Sequence, residues 1–162
     1  MSPLHLRSLT LLARWFGCGL FPKTPGTIGT LGAIPLVWAF ARLGPMNYLY
    51  ATFAIVVFSI VVAHIYETEV ATGPDAPELV IDEVAGFLVT MAWVPFTWPW
   101  VLMSFMLFRF FDMLKPFPIS WIDRRVEGGL GAVADDLAAG VICNIILQYL
   151  LQHHVLESLG WA

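Results

Sequence analysis

The sequence predicts an all-α, polytopic helical membrane protein with an amphipathic interfacial helix at its N-terminus. Three observations carry this. Hydrophobic residues make up 59% of the 162 residues and charged residues 12%, against roughly 45–50% and about 25% in soluble domains. Four apolar stretches follow one another, and the cleanest, residues 48–66, is 19 residues long. As a helix it would span about 28 Å, close to the roughly 30 Å of a bilayer's hydrocarbon core. Finally, ten of the twenty Asp, Glu, Lys and Arg residues fall in four short segments beside the ends of those stretches. The length suits one domain, 1–162. A net charge of −4 with no basic run gives no footprint for nucleic acid. Cys18 and Cys143 lie in apolar sequence without metal or disulfide spacing and read as small hydrophobic filler. No secretory signal is legible.

Residues 4–16 form the first predicted element. Arg7, Thr10 and Arg14 recur on one face while Leu6, Leu9, Leu12, Trp15 and Phe16 fill much of the rest. Such a helix can lie along a membrane surface or pack on its own protein. Residues 28–41 follow and end at Arg42, Gly44 and Pro45, a turn. Residues 84–108 are interrupted by Pro95 and Pro99 among Trp93, Trp98 and Trp100. This cluster is either a kink or the tip of a hairpin. Residues 137–151 are last, with Asn144 and Gln148 their most polar members.

The clustered charges are Lys23; Asp82 and Glu83; Arg109, Asp112 and Lys115; and Asp123, Arg124, Asp135 and Asp136. Five acids left in lipid would cost on the order of 12–17 kcal/mol, as much as a whole domain's stability of about 5–15 kcal/mol. They must be hydrated, paired or bound to a cation. Oxygen ligands select a hard ion, and Mg²⁺ is usual where phosphate shares the coordination.

Each segment admits a plainer reading beside this one. Thr24-Pro25-Gly26-Thr27 is a helix start, with Thr24 at the cap and Pro25 at the first position; its N–H groups could receive an anion, with Lys23 adding charge. Asp82-Glu83 could ligate metal or simply favour a helix start by their charge. Arg109, Asp112 and Lys115 step by three along one side of a helix, offering one acid between two cations, and Pro116 disfavours further helix. Gly128-Gly129-Leu130-Gly131 reads as a loop where backbone can approach a ligand, with Asp135-Asp136 then opening the last apolar helix.

Taken together, these strings resemble the phosphatidylglycerophosphatase A family of the bacterial inner membrane. The matches are Pro25-Gly26-Thr27; Asp82-Glu83 with Gly86; Phe108-Arg109 with Asp112; Lys115-Pro116 and Pro118-Ile119; Asp123-Arg124; Gly128-Gly129-Leu130-Gly131; and Asp135-Asp136 with Ala139-Gly140. Where the family often reads Gly-Ile-Met, this chain has Gly131-Ala132-Val133, an apolar exchange.

The resemblance implies Mg²⁺-dependent hydrolysis of phosphatidylglycerophosphate in a multi-pass protein. Asp82, Glu83, Asp112, Asp135 and Asp136 are the expected catalytic and metal-holding residues. Lys23, Thr27, Arg109, Lys115 and Arg124 are the expected phosphate contacts. A divalent-cation transporter would also explain intramembrane acids, but it leaves Arg109, Lys115 and the anion-ready helix start without a purpose.

A shared site sets a topological condition. Residues 84–111 must leave and return to one membrane face, which makes Pro95–Pro99 the tip of a hairpin with arms of roughly 11–14 residues, about 17–21 Å each. Arg7, Arg14 and Lys23 favour the cytoplasmic face for the N-terminus and hence for the site.

Overall fold

Proline sets where several helices begin, because its missing N–H costs nothing in a first turn. A computed structural model describes residues 3–71, 76–154, 158 and 160. In it, α1 is Pro3–Ala13, α2 is Pro25–Ala41, α3 is Pro45–Glu69 and α5 is Trp98–Leu114, with Pro99 in the first turn of α5. Three helices begin without proline in the first turn: α4 (Ile81–Thr90), α6 (Ile119–Arg125) and α7 (Gly128–Gln152). The described residues contain no strand. The all-α expectation holds.

Helices α3 and α7 are long and apolar enough to cross a membrane. Their exposed residues are largely apolar, among them Phe53, Val57 and Val61 on α3 and Val141, Ile145 and Tyr149 on α7. Helix α4 is different. Seven of its ten residues are buried, and it packs against α2, α3, α5 and α7. At ten residues, it reaches only about 15 Å, half a bilayer.

Helices α4 and α5 form a hairpin about Pro95–Pro99, which returns Arg109 of α5 to within 3.8 Å of Glu83 at the start of α4. The arms are less equal than expected, 10 and 17 residues. Residues 91–97 are irregular, with Trp93 in the left-handed region, while α5 continues to Leu114 before a left-handed Lys115 and Pro116 stop it.

A helix ending inside an apolar bundle leaves carbonyls that water cannot reach. Here α3 and α7 supply the donors. Tyr48 Oη donates to the Leu88 carbonyl at 2.8 Å. Asn144 Nδ2 donates to the Thr90 and Ala92 carbonyls at 3.0 and 2.7 Å, and Gln148 Nε2 to Ala92 at 3.0 Å. The two polar residues of the last apolar stretch are thus the cap of its neighbour.

Three local expectations are corrected. The first helix stops at Ala13, and Trp15–Leu20 forms a 3-10 helix broken by positive φ at Phe16 and Gly17. Leu9 and Ala13 are buried against the protein, so α1 is packed as well as amphipathic. Helix α6 was not foreseen after Pro116. The glycine-rich segment is helix rather than loop, because α7 begins at Gly128. A Cβ at Gly129 would overlap the His64 backbone, and one at Gly131 the Val126 carbonyl. Close packing there outweighs glycine's poor helix propensity of roughly 1 kcal/mol.

Candidate active site

The site is built where α4 and α7 cross. A Cβ on Gly86 would stand 2.7 Å from the Asp136 carbonyl and 2.8 Å from the Phe108 ring, and one on Gly140 would stand 2.5 Å from the Gly86 carbonyl. Only backbone-to-backbone contact permits this approach, as small residues do in membrane helices. The crossing sets the first turn of α4 against the second and third turns of α7.

That juxtaposition gathers carboxylates. Asp82, Glu83 and Asp136 each offer an oxygen within 4.8 Å of the others. Asp82 also accepts the Glu83 N–H at 3.0 Å. Asp136 is almost fully buried, at 3% exposure. Glu83 Oε2 and Asp135 Oδ1 are buried without a hydrogen-bond partner.

Two cations answer these acids, and both come from the end of α5. Arg109 Nη1 pairs with Asp112 one turn along and lies 3.8 Å from Glu83. Lys115 Nζ pairs with Asp123 of α6 and lies 2.6 Å from Asp135. Burial pulls the Lys115 amine down, but its hydrogen bonds to Asp123 and Asp135 and their charges outweigh that and hold it above the usual lysine range. It stays charged. Arg109 thus answers Asp112 and Glu83, while Asp82 and Asp136 crowd against Glu83. Like charges this close are costly in a low dielectric, and a hard divalent cation is the natural counterweight.

The acids open into a cavity of about 1110 Å³ lined by Asp82, Glu83, Asp112, Lys115, Asp135 and Asp136, among others. All five acids expected from the sequence line it. Among the expected cations only Lys115 does. Arg109 stands behind the carboxylates. Lys23 is exposed and Thr27 half-buried at the start of α2, where Gly26 abuts Glu83 Oε1 and Arg109 Nη1 so closely that a Cβ would displace the Glu83 carboxylate. The Thr24 hydroxyl makes no capping hydrogen bond. Arg124 is exposed on α6, its Nε donating to the Ser120 carbonyl at 2.9 Å.

Sequence reasoning missed three cavity residues. Asp123 stood in a recognised charged segment but was not assigned a role; its pairing with Lys115 depends on α6. Glu67 and Glu127 also line the cavity. They come from the last turn of α3 and the residue before α7, and no local pattern marked them.

An all-helical bundle with an acidic cavity among its apolar helices belongs to a class of proteins that hold charged groups at an apolar border. The comparisons with known proteins narrow that class. The family described as Phosphatidylglycerophosphatase A matches residues 11–151. A phosphatidylglycerophosphatase A of Escherichia coli (strain K12) is 42% identical over 155 residues, covering 94% of this chain and 86% of that protein. One from Haemophilus influenzae is 34% identical over 158 residues, covering 96% and 93%. A Bacteroides thetaiotaomicron protein with the provisional name phosphatidylinositol-3-phosphatase is 35% identical over 144 residues, covering 85% and 89%. No solved structure matches. The chain belongs to the phosphatidylglycerophosphatase A family.

Proposed function

We propose that this protein hydrolyses the terminal phosphate of phosphatidylglycerophosphate, giving phosphatidylglycerol and phosphate, with Mg²⁺ held by Asp82, Glu83 and Asp136. The observation that carries the reading is the convergence of those three carboxylates within 4.8 Å inside a cavity that also holds Lys115. The donor set fits the ion: all oxygen, negatively charged, with one Glu83 oxygen buried and unpartnered. When bound, Mg²⁺ would neutralise charge on the phosphoryl oxygens and acidify water.

The chain's own groups supply the rest. Lys115 can release one of its two carboxylates and take a phosphoryl oxygen instead. Arg109 keeps Asp112 and Glu83 oriented, and Lys23 with the first-turn amides near Thr27 adds positive potential at the start of α2. Asp135 has one oxygen on Lys115 and one unpartnered, so it is placed to receive a proton from water. Water adds to phosphorus as it gives a proton to Asp135, the bond to the glycerol oxygen breaks, and that oxygen leaves with the proton handed back by Asp135. Arg124 takes no part in this scheme.

The ion-path alternative needs a polar route past Asp136. Beyond it lie the Gly86–Gly140 crossing and the fully buried Phe87 and Phe108, ring centroids 6.0 Å apart. This supports an enzyme's dead-end cavity. In the same reading the protein is a multi-pass component of a bacterial cytoplasmic membrane, its cavity opening to the cytoplasm. Purified protein should release phosphate from phosphatidylglycerophosphate with Mg²⁺ and lose that activity in excess chelator. Undiminished release in chelator would refute the metal, and no release in Mg²⁺ would refute the phosphatase.

A further inference from the structure

The cavity lining is of two kinds. Glu67, Ala71, Ala76 and Glu127 are acidic or small. Lys115 also lines it, at the turn from α5 into α6. There Met113, Leu114, Phe117 and Trp121 expose between 50% and 81% of their surface. The turn is held in place by its neighbours: Ile119 is fully buried in the main core, and Asp123 is tied to Lys115. Arg125 lies beside the exposed Trp121, its guanidinium 5.9 Å from the ring centroid, and Arg124 is exposed next to it.

We infer that the α5–α6 turn is the docking rim for the lipid portion of the substrate, with Phe117 and Trp121 against the diacylglycerol and Arg124 and Arg125 toward its phosphodiester. This rests on the phosphatase reading and adds to it where the lipid lies. Two features favour a lipid over another occupant. The apolar side chains are continuous with the cavity through Lys115, so a molecule seated on them can place a headgroup among the carboxylates. Arg124 and Arg125 are exposed beside Trp121 and complement a phosphodiester, and the exposed Asp123 next to them is paired with Lys115. Aromatic and basic residues side by side are also what an interface between acyl chains and headgroups selects.

The test uses the full chain in detergent micelles with Mg²⁺ and two substrates: phosphatidylglycerophosphate, and its deacylated headgroup glycerophosphoglycerophosphate. Both carry the same monoester, and only the first carries acyl chains. The unaltered protein should prefer the lipid by about 100-fold or more in kcat/KM. Phe117→Ala and Trp121→Ala should each lower that preference about fivefold, through KM rather than kcat, and Trp121→Phe should restore most of it. Arg125→Gln should raise KM for the lipid and flatten its dependence on salt.

A loss of fold would depress both substrates together and leave the preference standing, so the ratio isolates docking. Equal turnover of the two substrates by the unaltered protein would overturn the rim, as would an unchanged preference in both folded alanine variants. Failure to hydrolyse either substrate would instead strike the phosphatase reading itself.

Discussion

Gly86 and Gly140 hold the site together as much as its carboxylates do, because Asp82, Glu83 and Asp136 meet only if α4 and α7 touch backbone to backbone. Gly86→Ala is expected to push the helices apart against the Asp136 carbonyl and the Phe108 ring, both under 3 Å from the added carbon. The cost should resemble overpacking, about 1–3 kcal/mol, and should lower metal affinity along with stability. A denaturant midpoint and a metal titration check both; normal values for each would show that the crossing has slack.

The carboxylates themselves should behave oppositely. Asp82→Asn and Asp136→Asn should cut turnover by about 100-fold or more while leaving the fold intact, since each removes negative charge from a crowded cluster. If Asp82 only favoured the start of α4, its loss would cost modest stability, about 0.5–2 kcal/mol, and little activity. Near-normal rates in both variants would remove the metal role from both acids.

At the scale of elements, two polar contacts decide where helices end. The Asn144 amide is the hydrogen-bond donor to two carbonyls at the end of α4, and Gln148 shares one of them. Asn144→Leu should destabilise the hairpin by roughly 1–3 kcal/mol, the cost of stranding a buried polar group. Thermal unfolding in detergent would read it, and an unchanged midpoint would mean that the tip is wetter than its burial suggests.

The segment before α4 is gripped from several sides. Glu78 Oε1 accepts from Arg14 Nη2 at 3.1 Å and Tyr66 Oη at 3.0 Å. The Val80 N–H donates to the Ala13 carbonyl at 3.0 Å. Burial raises the Glu78 carboxyl, but hydrogen bonds from its own backbone N–H, Tyr66 and Arg14, with the Arg14 charge, outweigh it and hold the group below the usual glutamate range. Its folded pKa is depressed, so its contribution to stability is present above about 4.5 and is lost as pH falls through the folded value. Hydrogen-exchange protection factors in residues 3–20, corrected for the intrinsic rate at each pH, should therefore fall below that pH. Glu78→Gln should already exchange faster at neutral pH and show a flatter acid response; equal pH profiles would remove Glu78 from the latch.

For the molecule as a whole, what was legible in the sequence is what local chemistry controls. Pro25 marked a helix start, Arg42, Gly44 and Pro45 marked a turn, the run 48–66 marked a long apolar helix, and Pro95–Pro99 marked a hairpin once the charges were required to meet. The five acids were legible because apolar surroundings make charge expensive. The parts that were not legible depend on tertiary contact. Gly128–Gly131 opens α7, and Gly129 and Gly131 sit where the His64 backbone and the Val126 carbonyl leave no room for a Cβ. Helix α6 is held by Ile119 in the core and by Asp123 on Lys115. Arg14 looked like a solvent-side cation, yet it is bound to Glu78 sixty-four residues away.

The central claim is that α4 and α7 together create a divalent-cation site on which hydrolysis depends. It is tested most directly by titrating the purified protein with Mn²⁺, following the free ion by electron paramagnetic resonance and phosphate release from the same samples. The account predicts saturable Mn²⁺ binding that Mg²⁺ displaces, weakened by at least about 10–100-fold in both Asp82→Asn and Asp136→Asn, with turnover falling in step. Unchanged Mn²⁺ affinity in the two variants, or full turnover in protein that binds no Mn²⁺, would contradict it.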